Sequence, residues 1–168
     1  FKKDGEIRFG FFNSSAIPQS LEECPLHMNG INSLLVEIRA LLKKHQVTIY
    51  DLTNRKGELK YILLTKSDSH DEILVRFVLR SKDQLDAFRK ITVELRAQSA
   101  SVKVVTANIQ PVHQAVLEGD EEIVLTENKN IHHRFDDFML ALGPRSFFQV
   151  TPEIARQLYQ ALASQVAL

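Results

Sequence analysis

The chain has 168 residues, 44% of them hydrophobic and 25% charged, with 21 basic and 21 acidic side chains and a single cysteine. A chain of this length buries enough surface to fold without disulfide staples, and one cysteine excludes an internal disulfide framework and fits a reducing, cytoplasmic compartment. Zero formal charge gives no global pull toward nucleic acid or a membrane, and no run approaches the roughly 20 apolar residues of a membrane span.

Along the chain, Lys3-Asp4-Gly5-Glu6 reads as a hairpin turn leading into a strand over Glu6–Phe12. Residues 13–28 read as a polar loop carrying Pro18, Cys24 and Pro25. Asn29 is a candidate cap for a helix running to about His45, with Ile31, Leu34, Leu35, Ile38, Leu41 and Leu42 forming one apolar stripe. Val47–Thr53 and Glu58–Thr65 read as strands joined by a turn at Asn54-Arg55-Lys56-Gly57. Ile73–Arg80 carries apolar residues on both faces, as a central strand does. Ser81 is a candidate cap for a second helix with Leu85, Phe88, Ile91, Val93 and Leu95 as its apolar set. Val102–Ile109 reads as a strand, Val112–Leu117 and Glu122–Thr126 as strands flanking a turn at Gly119-Asp120, and Phe135–Leu142 as a further strand. Gly143-Pro144 breaks the chain, and Thr151-Pro152-Glu153 opens a last helix with an N-cap, a proline at the first position and an acid in the first turn.

This order places hairpins where a parallel sheet needs crossovers, so the expected fold is mixed α+β with a largely antiparallel sheet and two packed helices. The chain opens on Phe1 with little of a first hairpin strand, and its last helix stops on Val166, Ala167 and Leu168. Both ends are those expected of a segment taken from a longer protein.

Several features invite a chemical reading, and each has a plainer one beside it. Cys24-Pro25 matches the last ligand of a ferredoxin-type run, which is followed by proline; a cluster needs four ligands, so alone Cys24 reads as a loop cysteine. His132 and His133 are adjacent, and on a strand they point to opposite faces and cannot chelate one metal. Glu118, Asp120, Glu121 and Glu122 lack the spacing of a calcium loop and read as a solvated hairpin tip. Arg55, Lys56 and Lys60 share one hairpin, with Arg76 and Arg80 nearby in the same sheet. This is either a solvated edge or a patch that contacts phosphates without reading sequence. Ser146-Phe147-Phe148-Gln149 sets two aromatics and an amide between a strand and a well-capped helix. Packing accounts for such a segment, and so does a site in which an exposed Phe stacks on a base and the amide holds a polar cofactor.

Four stretches together raise the odds of the functional readings. Arg55-Lys56-Gly57-Glu58-Leu59-Lys60-Tyr61-Ile62-Leu63-Leu64-Thr65, Arg76-Phe77-Val78-Leu79-Arg80-Ser81, Asn108-Ile109-Gln110-Pro111-Val112-His113 and Gly143-Pro144-Arg145-Ser146-Phe147-Phe148-Gln149 resemble, in order, the RNA uracil-5-methyltransferase family. The resemblance is closest to its bacterial large-subunit ribosomal RNA members, and it runs from about Cys24 to Leu168.

The resemblance implies three regions: residues 1–28 as the tail end of an N-terminal iron–sulfur region, 29–143 as a central α/β domain, and 144–168 as the start of a Rossmann-like methyltransferase domain, truncated here. It implies S-adenosylmethionine and a 4Fe-4S cluster as cofactors and 23S ribosomal RNA as the partner of a monomeric enzyme. Cys24 matches the fourth cluster ligand, Gln149 the glutamine that contacts S-adenosylmethionine, and Phe147 the aromatic against the target base. Arg55, Lys56 and Lys60 would contact the RNA. The family commonly has Asn where this chain has Thr151, and both are good N-caps. The implied chemistry is addition of a cysteine thiolate to uracil C6, methylation of the resulting enolate at C5, and removal of the C5 proton by a carboxylate. That cysteine and that base would lie beyond Leu168. The alternatives are a non-catalytic RNA-binding module and a domain that only orients its neighbours.

Overall fold

The structure, a computed structural model, describes residues 1–14, 18–21, 23–113, 116–148 and 151–166. In chain order the elements are β1 (Lys2–Lys3), β2 (Glu6–Ile7), β3 (Gly10–Phe12), β4 (Pro18–Ser20), α1 (Ile31–Lys44), β5 (Leu59–Ser67), β6 (Glu72–Leu79), α2 (Leu85–Gln98), β7 (Val102–Ile109), β8 (Glu121–Val124), β9 (Ile131–Phe135), β10 (Phe138–Leu142) and α3 (Pro152–Val166). The strands β5, β6, β7 and β8 form one sheet in that order. The β5–β6 and β7–β8 pairs are antiparallel, and β6–β7 is parallel, with α2 as the crossover. The mixed, mostly antiparallel α+β architecture therefore matches expectation.

The two faces of this sheet differ. Ile73, Val75, Phe77 and Leu79 of β6 and Val105, Ala107 and Ile109 of β7 meet the buried stripes of α1 and α2. Phe77 and Phe88 are both fully buried, with ring centroids 5.0 Å apart. On α1 the predicted stripe holds, with Ile31, Leu34, Ile38, Leu41 and Leu42 all buried. On α2 one member fails: Val93 is 71% exposed. It lies two residues beyond Ile91, about 200° round the helix, and so points away from the face that Phe88, Ile91 and Leu95 define.

The opposite face carries a small apolar cluster of Leu74, Val104, Ile131 and Leu142. Here the hairpin β9–β10 lies across one end of the sheet. Its outer backbone is held by side chains from the start of β6 and from the β5–β6 connection: the His132 amide donates to Glu72 Oε2 at 2.7 Å, and the Arg134 amide to Ser69 Oγ at 2.7 Å.

Element boundaries shifted wherever a side chain took a backbone group. Helix α1 starts after Gly30 in a left-handed conformation (φ 86°), with no side-chain cap from Asn29; the Asn29 carbonyl accepts from Lys66 Nζ instead. Ser81 donates to the buried Glu58 carboxylate and accepts from the Asp83 amide, so α2 begins only at Leu85. The segment 47–53 makes isolated bridges rather than a strand, because Asp51 Oδ1 accepts the Thr53 and Asn54 amides and turns the chain. The expected strand over Glu6–Phe12 is split into β2 and β3, and β3 pairs with β4. The expected strand over Phe135–Leu142 is β10 over Phe138–Leu142, and it pairs through a turn at Asp136 (φ 50°) with β9, a strand that the sequence reading does not place. Val112–Leu117 forms no strand among its described residues, and β8 pairs with β7.

Among the described residues no helix is long and apolar enough to cross a membrane. Phe77→Ala leaves a cavity between β6 and α2 and is expected to cost about 3–5 kcal/mol of stability, measured by urea unfolding.

Candidate functional site

The polar half of the second sheet face is built around Arg76. An arginine between Leu74 and Val78 on a central strand must either reach water or find a charge. Its side chain is 4% exposed and meets Glu122 of β8, which is 14% exposed. Arg76 Nε lies 2.9 Å from both Glu122 oxygens, and Nη2 also reaches Oε2. The remaining nitrogen Nη1 pairs with Glu118. Glu122 accepts two further bonds, from Thr106 Oγ1 at 2.6 Å and Asn108 Nδ2 at 2.9 Å. Burial alone would raise the Glu122 carboxyl, but Arg76, Thr106 and Asn108 together hold it below the ordinary carboxylate range.

Asn108 extends this network to the loop before β8. Its Oδ1 accepts the Gly119 amide at 2.7 Å, and its Nδ2 donates to the Gly119 and Glu121 carbonyls at 3.0 and 3.1 Å. The loop sits so close to β7 that a Cβ on Gly119 would stand 1.9 Å from the Ile109 carbonyl oxygen. Just past β7, Gln110 is buried and donates to the Val116 carbonyl at 3.1 Å.

The junction between β10 and α3 docks on the same loop. Arg145 Nη2 donates to the Gly119 carbonyl at 2.9 Å and also to the Asp120 carbonyl. Ser146 closes a turn with Gly143, its hydroxyl accepting the Gly143 amide at 3.0 Å and its amide donating to the Gly143 carbonyl at 3.1 Å. Phe148 is partly buried against the cluster of Leu74, Val104, Ile131 and Leu142. Its ring meets His133 edge-on at 4.7 Å. Phe147, by contrast, is 83% exposed. Gln149 lies outside the described residues. Helix α3 follows from Pro152 and leans on the β9–β10 turn, with Tyr159 5.7 Å from the Phe135 ring and Arg156 3.8 Å from Asp136.

His133 is buried and pairs through Nδ1 with Ser67 Oγ at 3.2 Å. Burial, chiefly, holds its protonation below the usual histidine range, with Asp68 opposing and His70 reinforcing. His132, on the other face of β9, is exposed and 3.4 Å from Glu72. The two histidines thus point apart, as strand geometry requires.

The basic residues separate into two kinds. Arg55 and Lys56 are exposed on their turn, with Arg55 at φ 55° and Gly57 at φ 102°. A Cβ on Gly57 would stand 2.3 Å from the Ile49 carbonyl oxygen, so this turn needs its glycine. Lys60 turns inward: Nζ donates to the Gln110 carbonyl at 3.1 Å, to the Val112 carbonyl at 2.6 Å and to Gln110 Oε1. It also lies 4.8 Å above the Tyr50 ring. Burial, then Arg80, lowers its pKa. Arg80 pairs with the buried Glu58 at 3.0 Å and donates through Nε to the Gly57 carbonyl at 3.0 Å, so it braces the Arg55–Lys56 turn, whereas Arg76 is taken up by Glu122.

Cys24 is half-buried and free. Asn32 of α1 brackets its backbone, donating to the Cys24 carbonyl at 3.3 Å and accepting the Cys24 amide at 3.5 Å. Among the described residues no group of three or more His, Cys, Asp or Glu side chains is arranged to hold a metal. One thiol is one ligand where an iron–sulfur cluster takes four, so the residues of this chain do not by themselves make a cluster site.

Sequence reading missed the contacts of Asn108 and Arg145. The signal was present for Asn108: an amide buried on a central strand must find partners. Arg145 gave none, because its acceptors are backbone carbonyls 25 and 26 residues away.

Arg76→Met removes the cation that compensates Glu122 and Glu118 and is expected to cost about 3–5 kcal/mol in denaturant unfolding. Because the folded Glu122 carboxyl is depressed, its stabilisation is complete above the unfolded value near pH 4.3 and is lost as pH falls through the lower folded value. In Glu122→Gln that part of the acid-induced decline should vanish from the stability–pH profile.

No protein-family model matches the chain. It is 41% identical over 150 residues to the 23S rRNA (uracil(747)-C(5))-methyltransferase RlmC of Escherichia fergusonii, which takes in 89% of this chain and 40% of that protein. It is 41% identical over 158 residues to RlmC of a Shewanella strain, 94% of this chain and 41% of that protein. The chain thus spans about two-fifths of the length of these curated relatives. The fold resembles that of Pyrococcus abyssi tRNA (uracil-54, C5)-methyltransferase, solved in complex with S-adenosyl-L-homocysteine, with a TM-score of 0.74, 19% identity, and coverage of 92% of this chain and 37% of that one. Over nearly all of its length, then, this chain is similar to the bacterial RNA uracil-C5-methyltransferases that its collinear motifs resemble.

Proposed function

We propose that this chain is the central part of an S-adenosylmethionine-dependent enzyme that methylates C5 of a uridine in 23S ribosomal RNA. The observation that carries this reading is the 41% identity to RlmC proteins across 89–94% of the chain. S-adenosylmethionine supplies the methyl group. In this reading the nucleophilic cysteine and the carboxylate base lie beyond Leu168, in a Rossmann-like domain of which α3 is the first helix. In this reading the enzyme is cytoplasmic and monomeric.

Within this chain the roles divide as the geometry allows. Phe147, with its ring almost fully exposed beside a fixed Phe148, stacks on the target base once that base is extruded from folded RNA. Gln149, two residues on, contacts S-adenosylmethionine. Arg55 and Lys56 hold RNA phosphates from an exposed turn, positioning the substrate without reading its sequence. Lys60 belongs to the same RNA-facing hairpin and braces it, through Gln110 and Val112, against the end of β7. Cys24 supplies one ligand of a 4Fe-4S cluster whose other three come from before Phe1.

The full-length protein should transfer labelled methyl groups from S-adenosylmethionine to unmodified 23S ribosomal RNA, and the label should be recovered as 5-methyluridine. No transfer, or methylation at another atom, would contradict the proposal. Phe147→Ala removes a base–aromatic stack worth about 1–3 kcal/mol and should lower kcat/KM roughly 5- to 150-fold. Arg55→Glu with Lys56→Glu should weaken RNA binding across sequences and flatten its salt dependence, whereas unchanged binding would return the turn to an ordinary solvated edge.

A further inference from the structure

We infer that Arg145 is a positioning residue, which ties the β10–α3 junction to the Gly119–Asp120 loop and so sets the direction in which Phe147 is presented. The inference rests on the proposed function, in which Phe147 meets the target base.

The argument begins with what fixes Phe147. Its ring is 83% exposed, so its own packing does not define its direction. On its C-terminal side Phe148 is anchored, against His133 and the small apolar cluster. On its N-terminal side the Gly143–Ser146 turn is local and makes two hydrogen bonds within itself. A turn of that kind fixes its own shape but not its orientation on the sheet. Orientation comes from Arg145, whose Nη2 donates to the carbonyls of Gly119 and Asp120 and whose Nε lies 3.9 Å from Glu122 Oε2.

Those acceptors are unusually well held. Gly119 is gripped at both its amide and its carbonyl by Asn108, and it lies too close to Ile109 for any side chain. Asn108 and Glu122 in turn belong to the buried Arg76 network. Arg145 is therefore the link that transmits the order of the sheet interior to a surface aromatic. Its side chain is 51% exposed, so its removal opens no cavity and leaves the Arg76–Glu122 pair in place. A planar guanidinium reaching two carbonyls fixes direction better than a point charge can.

The test uses the full-length protein and two independent readouts. In RNA methylation, Arg145→Ala should lower kcat about 10- to 100-fold, the scale on which small misplacements of reacting groups act, with KM for RNA changed less than about 2-fold. Its melting temperature should stay within about 2 °C of wild type. Arg145→Lys should restore part of kcat, and Arg145→Ala combined with Phe147→Ala should be no slower than Phe147→Ala alone. In limited chymotrypsin digestion, Arg145→Ala should be cut after Phe147 several-fold faster than wild type, reporting a loosened junction. Unchanged kcat in an active enzyme, losses that multiply in the double variant, or an unchanged cleavage rate would each overturn the inference. A wild-type protein that transfers no methyl group would overturn the proposed function instead, and the digestion would still decide the role of Arg145.

Discussion

The ion pair between Arg76 and Glu122 is the constraint around which the second face of the sheet is arranged. A guanidinium on a central strand, shut off from water, is tolerable only if its charge is met and its donors are used. Glu122 meets the charge, Glu118 takes the remaining nitrogen, and Thr106 and Asn108 fill the other acceptor positions of Glu122. Each of these contacts dictates something further. Glu122 must face inward from β8, which fixes the β7–β8 register at Asn108↔Glu122. Asn108, drawn into the pair, has its remaining hydrogen-bonding capacity directed at Gly119, and that holds the loop before β8 flat against β7.

The division of the sheet into two faces follows. One face is apolar and covered by α1 and α2; it carries the stability of the domain and no candidate chemistry. The other has a polar centre, with the β9–β10 hairpin at one end covering Leu74 and Val104. The chain leaves β10 beside this polar centre, and Arg145 catches it there. The result is a rigid platform with one large aromatic, Phe147, held out in solvent next to the residues that open α3. The exposed Arg55–Lys56 turn, anchored by Gly57 and by the Arg80–Glu58 pair, stands on the same scaffold as a separate cationic feature.

Much of the scaffold was legible in the sequence, because burial on one face of a helix or a strand leaves a period in the residues. The stripes of α1, the two-sided apolar strand β6, the turns at Asp4-Gly5 and Arg55–Gly57, and the proline-opened α3 all follow from local rules. What was not legible depends on partners distant in sequence. Arg76 reads as a surface charge until its partner, 46 residues on, is known. Ser81 and Asn29 look like helix caps until Glu58 and Lys66 claim them. At the candidate site, two adjacent aromatics do not say by themselves which of them packs; the apolar cluster at Leu74 and Ile131 takes Phe148 and leaves Phe147 exposed. Asp136, on the β9–β10 turn, meets Arg156 and Gln160 of α3, contacts that span 20 and 24 residues and leave no local signal.

The functional account joins this platform to the likeness with RlmC proteins, and its central claim is that the platform presents a uridine for methylation at C5. The most direct measurement is mass-spectrometric mapping of 5-methyluridine in 23S ribosomal RNA from cells with and without the gene. The account predicts that one 5-methyluridine disappears when the gene is deleted, returns with the wild-type gene, and returns poorly with Phe147→Ala. If every 5-methyluridine persisted in the deletion strain, the account would be contradicted.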